Sequence, residues 1–254
     1  MTNQIILTVT DLAKKYDNDF EAVKGISFQV NQGEVFGILG PNGAGKTTTL
    51  EMIEGLSEIT SGVVIVDGIN VAEYPDRVKE IIGVQPQSSA FLDEAKLNET
   101  LVAFAAMYGG RVDALSLLKK VDLEAKATSY PEQLSGGQRQ RFSIAVALVH
   151  KPRVLFLDEP TTGLDPQARR NLWDLVQSIA KDGVTVILTT HYMEEAQVLC
   201  NRVAIMDEGK IVALDKPSHL IKQLLDRGFK PKVEVQAATL EDVFIDLTGK
   251  DLRE

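Results

Sequence analysis

Two short stretches of the chain carry side chains whose types and spacing suit phosphate chemistry. "GPNGAGKT", Gly40 to Thr47, fits Gly-x-x-x-x-Gly-Lys-Ser/Thr, and it sits between the strand-like "VFGIL" and the helix-like "TTTLEMIEG". Glycines are needed there because backbone amides must face phosphate oxygens with no Cβ in the way, at a helix N-terminus that adds partial positive charge. The cradle therefore runs through Gly40, Asn42, Gly43, Ala44, Gly45, Lys46, Thr47 and Thr48, with Lys46 reaching β- and γ-phosphates and the Thr47 hydroxyl a ligand for Mg²⁺. "VLFLDEP" supplies the carboxylates: Asp158 at a strand tip for the magnesium shell, and Glu159 as the base or positioner for an attacking water. A glycine turn and a solvated strand end are the plain alternatives, but their joint presence in one chain favours chemistry.

A second glycine pair stands in "LSGGQRQR", residues 134 to 141. Ser135 as N-cap with Gln138 three residues later makes a capping box, and Phe142, Ala145, Val146 and Val149 then share one face of the helix it starts. That explains Ser135 and Gln138 and leaves Gly136 and Gly137 unexplained, since each costs a helix up to about 1 kcal/mol relative to Ala. Two bare glycines at a helix start allow a phosphate close to the amides.

These groups need a scaffold. "VFGIL" (Val35 to Leu39), "VLFL" (Val154 to Leu157) and "VTVIL" (Val184 to Leu188) are nearly continuous apolar runs, as in parallel strands covered on both faces. They end at Gly40, Asp158 and His191, so their carboxyl ends should converge on one crevice. "IILTV", "ISFQV" and "GVVIVDG" alternate or are bounded by glycine and predict an antiparallel layer near the N-terminus. Between about 90 and 150 helical spacing takes over, with Leu97, Leu101, Phe104, Ala105 and Tyr108 before Gly109-Gly110. A hairpin is expected about Asp207 to Lys210, and a capped tail helix over about 239–248 between Thr239 and Gly249. The expected architecture is α/β: a P-loop NTPase core with a parallel sheet, the antiparallel layer and a helical insert, in a single domain over 1–254.

Composition narrows the class. With 27 basic against 36 acidic residues, a net charge of -9 and no long Lys/Arg run, an electrostatic nucleic-acid footprint is not expected. The longest clean apolar run, "IAVALV", is far short of the roughly 20 residues that span a bilayer. "MTNQIILTVTD" has no basic leader pattern, and the single Cys200 permits no internal disulfide, so a cytosolic chain is expected.

Taken together, "GPNGAGKT", "LDEP" and "LSGGQ" make the sequence resemble the nucleotide-binding subunit of ATP-binding cassette (ABC) transporters, over essentially the whole chain. The resemblance implies the ABC ATPase fold, ATP and Mg²⁺ as cofactors, and a head-to-tail sandwich in which Ser135, Gly136, Gly137 and Gln138 serve the nucleotide of the opposite subunit. It further implies Tyr16 of "LAKKYDND" as the aromatic on adenine, and Gln87, after proline, rather than Gln85 as the magnesium and water contact. Asp165 of "TTGLDP" would reach across the dimer, and His191 of "ILTTHY" would act as the switch histidine beside Glu159. Partners implied are a second, identical or different ABC ATPase and separate transmembrane permeases that hold the chain at the inner face of the membrane. Phe91 and Leu92 stand where docking anchors or insert core would fall. "TLEDVFIDLTG" is similar to the ending of ATPases serving ABC-2 type exporters of drugs, lipids or related compounds. An importer ATPase and an ABC protein acting on ribosomes or DNA are the alternatives.

Overall fold

The computed structural model describes residues 4–87, 91 and 94–229. Its centre is a six-stranded sheet of order β10-β9-β3-β8-β7-β6. The strands are β3 (Val35–Leu39), β6 (Ile82–Gln85), β7 (Val154–Asp158), β8 (Thr185–Thr190), β9 (Arg202–Asp207) and β10 (Lys210–Asp215). Neighbours from β6 through β9 run parallel, and β10 folds back antiparallel on β9. Every residue of β3, β7 and β8 is buried, which is why these strands read as unbroken apolar runs rather than alternations. The β9–β10 turn puts Glu208 and Gly209 at φ 45° and 80°, the left-handed pair that a two-residue hairpin favours.

A second sheet, of order β2-β1-β4-β5, is antiparallel and consists of β1 (Ile5–Lys15), β2 (Glu21–Asn31), β4 (Ser61–Val66) and β5 (Ile69–Asn70). Its inner residues, among them Leu7, Val9, Phe28, Val64 and Val66, form one core cluster with Phe36 and Ile38 of β3, with Leu50 and Met52 of α1 (Lys46–Ile53) and with Val78 of the short α2 (Pro75–Lys79). β1 and β2 run well beyond the five-residue stretches their alternation suggests. β1 continues through a bulge at Asp11, with φ 47°, and the Asp11 amide donates to Ser27 Oγ at 2.8 Å. Gly62 makes room for that bulge, since a Cβ there would lie 2.4 Å from Asp11 O.

The opposite face of the central sheet is covered by helices: α3 (Leu97–Met107), α4 (Ala114–Lys120), α5 (Gly136–Ala147), α6 (Pro166–Lys181) and α7 (Met193–Leu199). Leu97, Leu101, Ala105, Phe142 and Ala145 of the helical insert share one cluster with Leu155 and Leu157 of β7 and Val186 and Leu188 of β8. The insert is thus fastened to the sheet by apolar contact. Gly109, at φ 68°, stops α3, and the Gly110 amide donates to Ala105 O at 3.0 Å. Phe91 turns inward, its ring 5.0 Å from that of Phe142, as insert core and not as an exposed anchor. Leu92 and the tail helix expected over 239–248 lie outside the described residues. The last described helix, α8 (Pro217–Asp226), buries none of its residues.

Candidate functional site

The carboxyl ends of β3, β7 and β8 meet as parallel topology requires, since β3 pairs with β8 and β8 with β7 in register. From β3 the chain turns at once into α1. Gly40 is obligatory at this turn, because a Cβ there would sit 2.2 Å from Met206 O of the adjoining β9. Gly45 is equally fixed: it has φ 96°, and a Cβ would fall 2.4 Å from Ala22 O. The loop is therefore pressed against its own protein from two sides.

A cavity of about 320 Å³ opens over it, lined by Asn42, Gly43, Gly45, Lys46, Thr47 and Thr48 of the loop, Phe20 and Ala22, Gln87 after β6, and Glu159 after β7. A larger cleft, of about 580 Å³, lies near the other ends of the strands between α4 and residues 148–153; it has no glycine-rich loop, and its two carboxylates are engaged, Asp113 as the cap of α4 and Asp182 with Lys120 at 2.7 Å. Phosphate chemistry belongs to the smaller site.

Lys46 is buried, its Nζ donating to Gly40 O at 2.9 Å and Pro41 O at 3.0 Å and pairing with Glu159 Oε1 at 3.2 Å. Thr47 Oγ1 donates to Asp158 Oδ2 at 3.1 Å. The Thr189 hydroxyl donates to Asp158 Oδ1 and accepts from the Glu159 amide at 3.0 Å. β8 thus extends two residues past the apolar run, to Thr189 and Thr190, because its last hydroxyls have partners in the site.

Glu159 is the most constrained residue of the group. Its backbone has φ 47°, uncommon outside glycine, and its Oε2 accepts from Thr162 Oγ1 at 3.2 Å and meets His191 Nδ1 at 3.1 Å. Burial pushes its carboxyl up, but hydrogen bonds and charge from Lys46 and His191 together outweigh that, and it is held below the usual carboxylate range. It is an ionised acceptor, able to orient a water and take its proton. Thr47 and Asp158 offer one hydroxyl and one carboxylate side by side. That donor set is too small for a cage yet suits Mg²⁺, which keeps most of its waters and shares phosphate oxygens.

The two candidate glutamines separate clearly. Gln87 is exposed and lines the cavity, whereas Gln85 is fully buried in β6 with its Nε2 donating to Pro86 O. At the open side Phe20 lines the cavity, a residue that motif reading passed over. Tyr16 lies beside it, ring centroids 6.4 Å apart and planes at 16°.

The second glycine loop is elsewhere. Ser135 to Gln138 line no part of this cavity. They form the expected capping box, Gln138 N donating to Ser135 Oγ at 3.3 Å and Ser135 N to Gln138 Oε1 at 3.2 Å. Ser135 and Gly136 are exposed, and a Cβ on Gly136 would meet only Leu164 Cδ2, at an ordinary 3.8 Å. Next to Leu164, the exposed Asp165 caps α6, its Oδ1 accepting from Gln167 N and Ala168 N at 2.9 Å each.

The family model described as ABC transporter matches residues 23–162, which span the first loop, the β7 carboxylates and the second loop. The chain belongs to the ABC transporter family, and it is an ATP-binding and ATP-hydrolysing subunit of it. It is 41% identical over 228 residues, 88% of this chain and 72% of the relative, to the linearmycin resistance ATP-binding protein LnrL of Bacillus subtilis (strain 168). It is 42% identical over 214 residues, 82% of this chain and 70% of the relative, to the Nod factor export ATP-binding protein I of Burkholderia pseudomallei (strain 1710b). Among solved structures, cbiO1 from Clostridium perfringens, part of the ABC transporter complex cbiONQ, superposes with TM-score 0.78 at 29% identity, covering 88% of this chain and 94% of that one. No helix among the described residues is long and apolar enough to cross a membrane.

Proposed function

We propose that this chain is the ATPase of an ABC-2 type exporter, a single nucleotide-binding domain that closes with a second ABC ATPase, identical or different, around two nucleotides and so moves separate membrane permeases. Bound at the inner face of the membrane through those permeases, it handles no cargo itself. The relatives named for linearmycin resistance and Nod factor export support the outward direction.

In this reading Gly40, Asn42, Gly43, Ala44, Gly45, Lys46, Thr47 and Thr48 hold the triphosphate, and Tyr16 with Phe20 packs against the base. Thr47, Asp158 and Gln87 hold Mg²⁺, which neutralises phosphate charge when bound. Glu159 accepts the proton of the attacking water, and His191 steadies both Glu159 and the γ-phosphate. Ser135, Gly136, Gly137, Gln138 and Asp165 act on the neighbour's nucleotide.

The observation that carries the shared site is Gly136. It opens an exposed helix start, away from the Lys46 cavity, and nothing within its own chain forbids a side chain there. A bare, exposed helix start leaves room for an anion brought by another molecule to approach its amides. The test uses Gly136→Asp, which sets a carboxylate against the neighbour's phosphates while each protomer still loads ATP on its own first loop. The variant alone should bind ATP normally and hydrolyse almost none. Mixed with Lys46→Ala protomers, it forms pairs with one doubly damaged and one intact site, and partial hydrolysis should return. Parental turnover by Gly136→Asp as a stable monomer would sink the shared-site reading.

A further inference from the structure

Glu195, in the first turn of α7, takes no part in the chemistry above, yet it is fully buried. Its Oε1 accepts from Trp173 Nε1 of α6 at 3.1 Å. Burial drives its carboxyl above the usual range, while the hydroxyls of Thr190 and Thr161, the Trp173 indole and the charge of Arg169 act in the other direction. So four segments crowd one carboxyl: the end of β8, the loop after β7, α6 and α7. Arg169 Nε, beside it, is buried with no hydrogen-bond partner among the described residues. A buried carboxyl and a buried, unpaired guanidinium nitrogen are costly to keep, so the cluster calls for a reason beyond packing.

The same group touches both ends of the catalytic machinery. Arg169 begins its helix on Asp165, its amide donating to Asp165 O at 3.0 Å, and its guanidinium lies 4.6 Å from the centroid of the Tyr192 ring. That ring packs on His191 at 4.2 Å between centroids, and His191 holds Glu159. Thr161 lies between Glu159 and Asp165 in the chain.

We propose that Glu195 and Arg169 are positioning residues for hydrolysis: they lock the start of α7 and the Tyr192 ring to α6, so that the seat of Asp165 sets the place of the His191 imidazole. Displacing Asp165 displaces Arg169, and Arg169 bears directly on the ring that backs His191. The proposal rests on His191 taking part in hydrolysis at Glu159.

The experiment is a double-mutant cycle on the full chain with ATP, reading kcat, KM and nucleotide affinity for Glu195→Ala and Arg169→Leu, each in the parent and in His191→Ala. Glu195→Gln keeps shape and both kinds of hydrogen bond. Misplacing a reacting group by about 1 Å costs on the order of 10²-fold. Glu195→Ala and Arg169→Leu should therefore lower kcat by about tenfold or more with ATP affinity within about twofold, and Glu195→Gln should recover most of the loss. In the His191→Ala background the same substitutions should lose less than about twofold further. Equal losses in both backgrounds, or a lowered melting temperature with unchanged kcat, would overturn the positioning role. Parental turnover by His191→Ala would instead remove the premise, and the role of His191 with it.

Discussion

The loop before α1 and the loop before α5 both bring glycines to a helix N-terminus, but the first is shaped by its own chain and the second is not. At Gly40 and Gly45 any Cβ would strike backbone of β9 or β2, and Lys46 is held by two carbonyls and Glu159. At Gly136 a Cβ meets one leucine methyl at ordinary distance, and the helix start is already satisfied by Ser135 and Gln138. Close approach of the protein's own backbone explains the first pair of glycines. Nothing within the chain itself requires glycine at 136. In the proposed function the difference is that between a site a protomer fills alone and half of a site that needs a neighbour.

The largest effect that would sharpen this contrast comes from Lys46→Ala. The variant removes the one cation of the cradle and leaves Glu159 buried with His191 as its remaining basic partner. ATP affinity of the isolated protomer should fall on the order of 10²-fold or more, since charge-assisted contacts to β- and γ-phosphates are lost. Titration with a fluorescent ATP analogue reads it. Affinity within twofold of the parent would break the assignment of the first loop.

The first region also carries a pH signature. Glu54 caps the end of α1 and is 4% exposed; burial, then the charges of Asp158 and Glu51, push its carboxyl up to about 8. Below the ordinary value of 4.5 the group is protonated in folded and unfolded chains alike, and it costs nothing. As pH rises from 4.5 to about 8 the unfolded chain ionises while the folded one stays protonated, so stability falls across that window and then levels. Glu54→Gln should flatten the fall and gain on the order of a few kcal/mol at pH 8. Glu159 works oppositely: its depressed value keeps its ion pair intact at neutral pH and releases it only as pH falls below the carboxylate range. Urea unfolding of parent and variant at pH 5 and pH 8 checks the difference; parallel pH profiles would place Glu54 in water.

How much of this was legible in the sequence follows from what each feature depends on. The buried strands and the carboxylates at their tips were readable because apolar continuity and strand ends are local facts. The capping box of Ser135 and Gln138 was local too. Phe20 was not, because which aromatic faces the cavity is set by a turn at Asp19, φ 63°, held by Tyr16 N to Phe20 O and Asp19 N to Tyr16 O at 3.0 Å each. The extension of β1 past Val9 hid behind a bulge whose space is supplied by Gly62, some fifty residues on. Glu195 carries no such local sign. Its burial comes from Trp173 on another helix, a contact no spacing reveals.

The smallest effect separates the two loops most sharply, because stability and activity should move in opposite directions. Gly136→Ala adds one methyl at an exposed helix start, where it meets only Leu164. Alanine is the better helix former by up to about 1 kcal/mol, so the isolated protomer should be unchanged or slightly more stable. Its affinity for ATP should match the parent, since residue 136 lines no part of the Lys46 cavity. If the loop were only a helix cap, turnover would be parental as well. If its amides lie against a neighbour's phosphate, the methyl holds the closing surfaces apart, and even a small misplacement slows hydrolysis several-fold. Thermal melting, nucleotide titration and steady-state phosphate release on one preparation give all three quantities. A stable protomer that binds ATP normally and hydrolyses it slowly is the outcome that only a shared site predicts; unchanged turnover would return the second loop to a plain helix start.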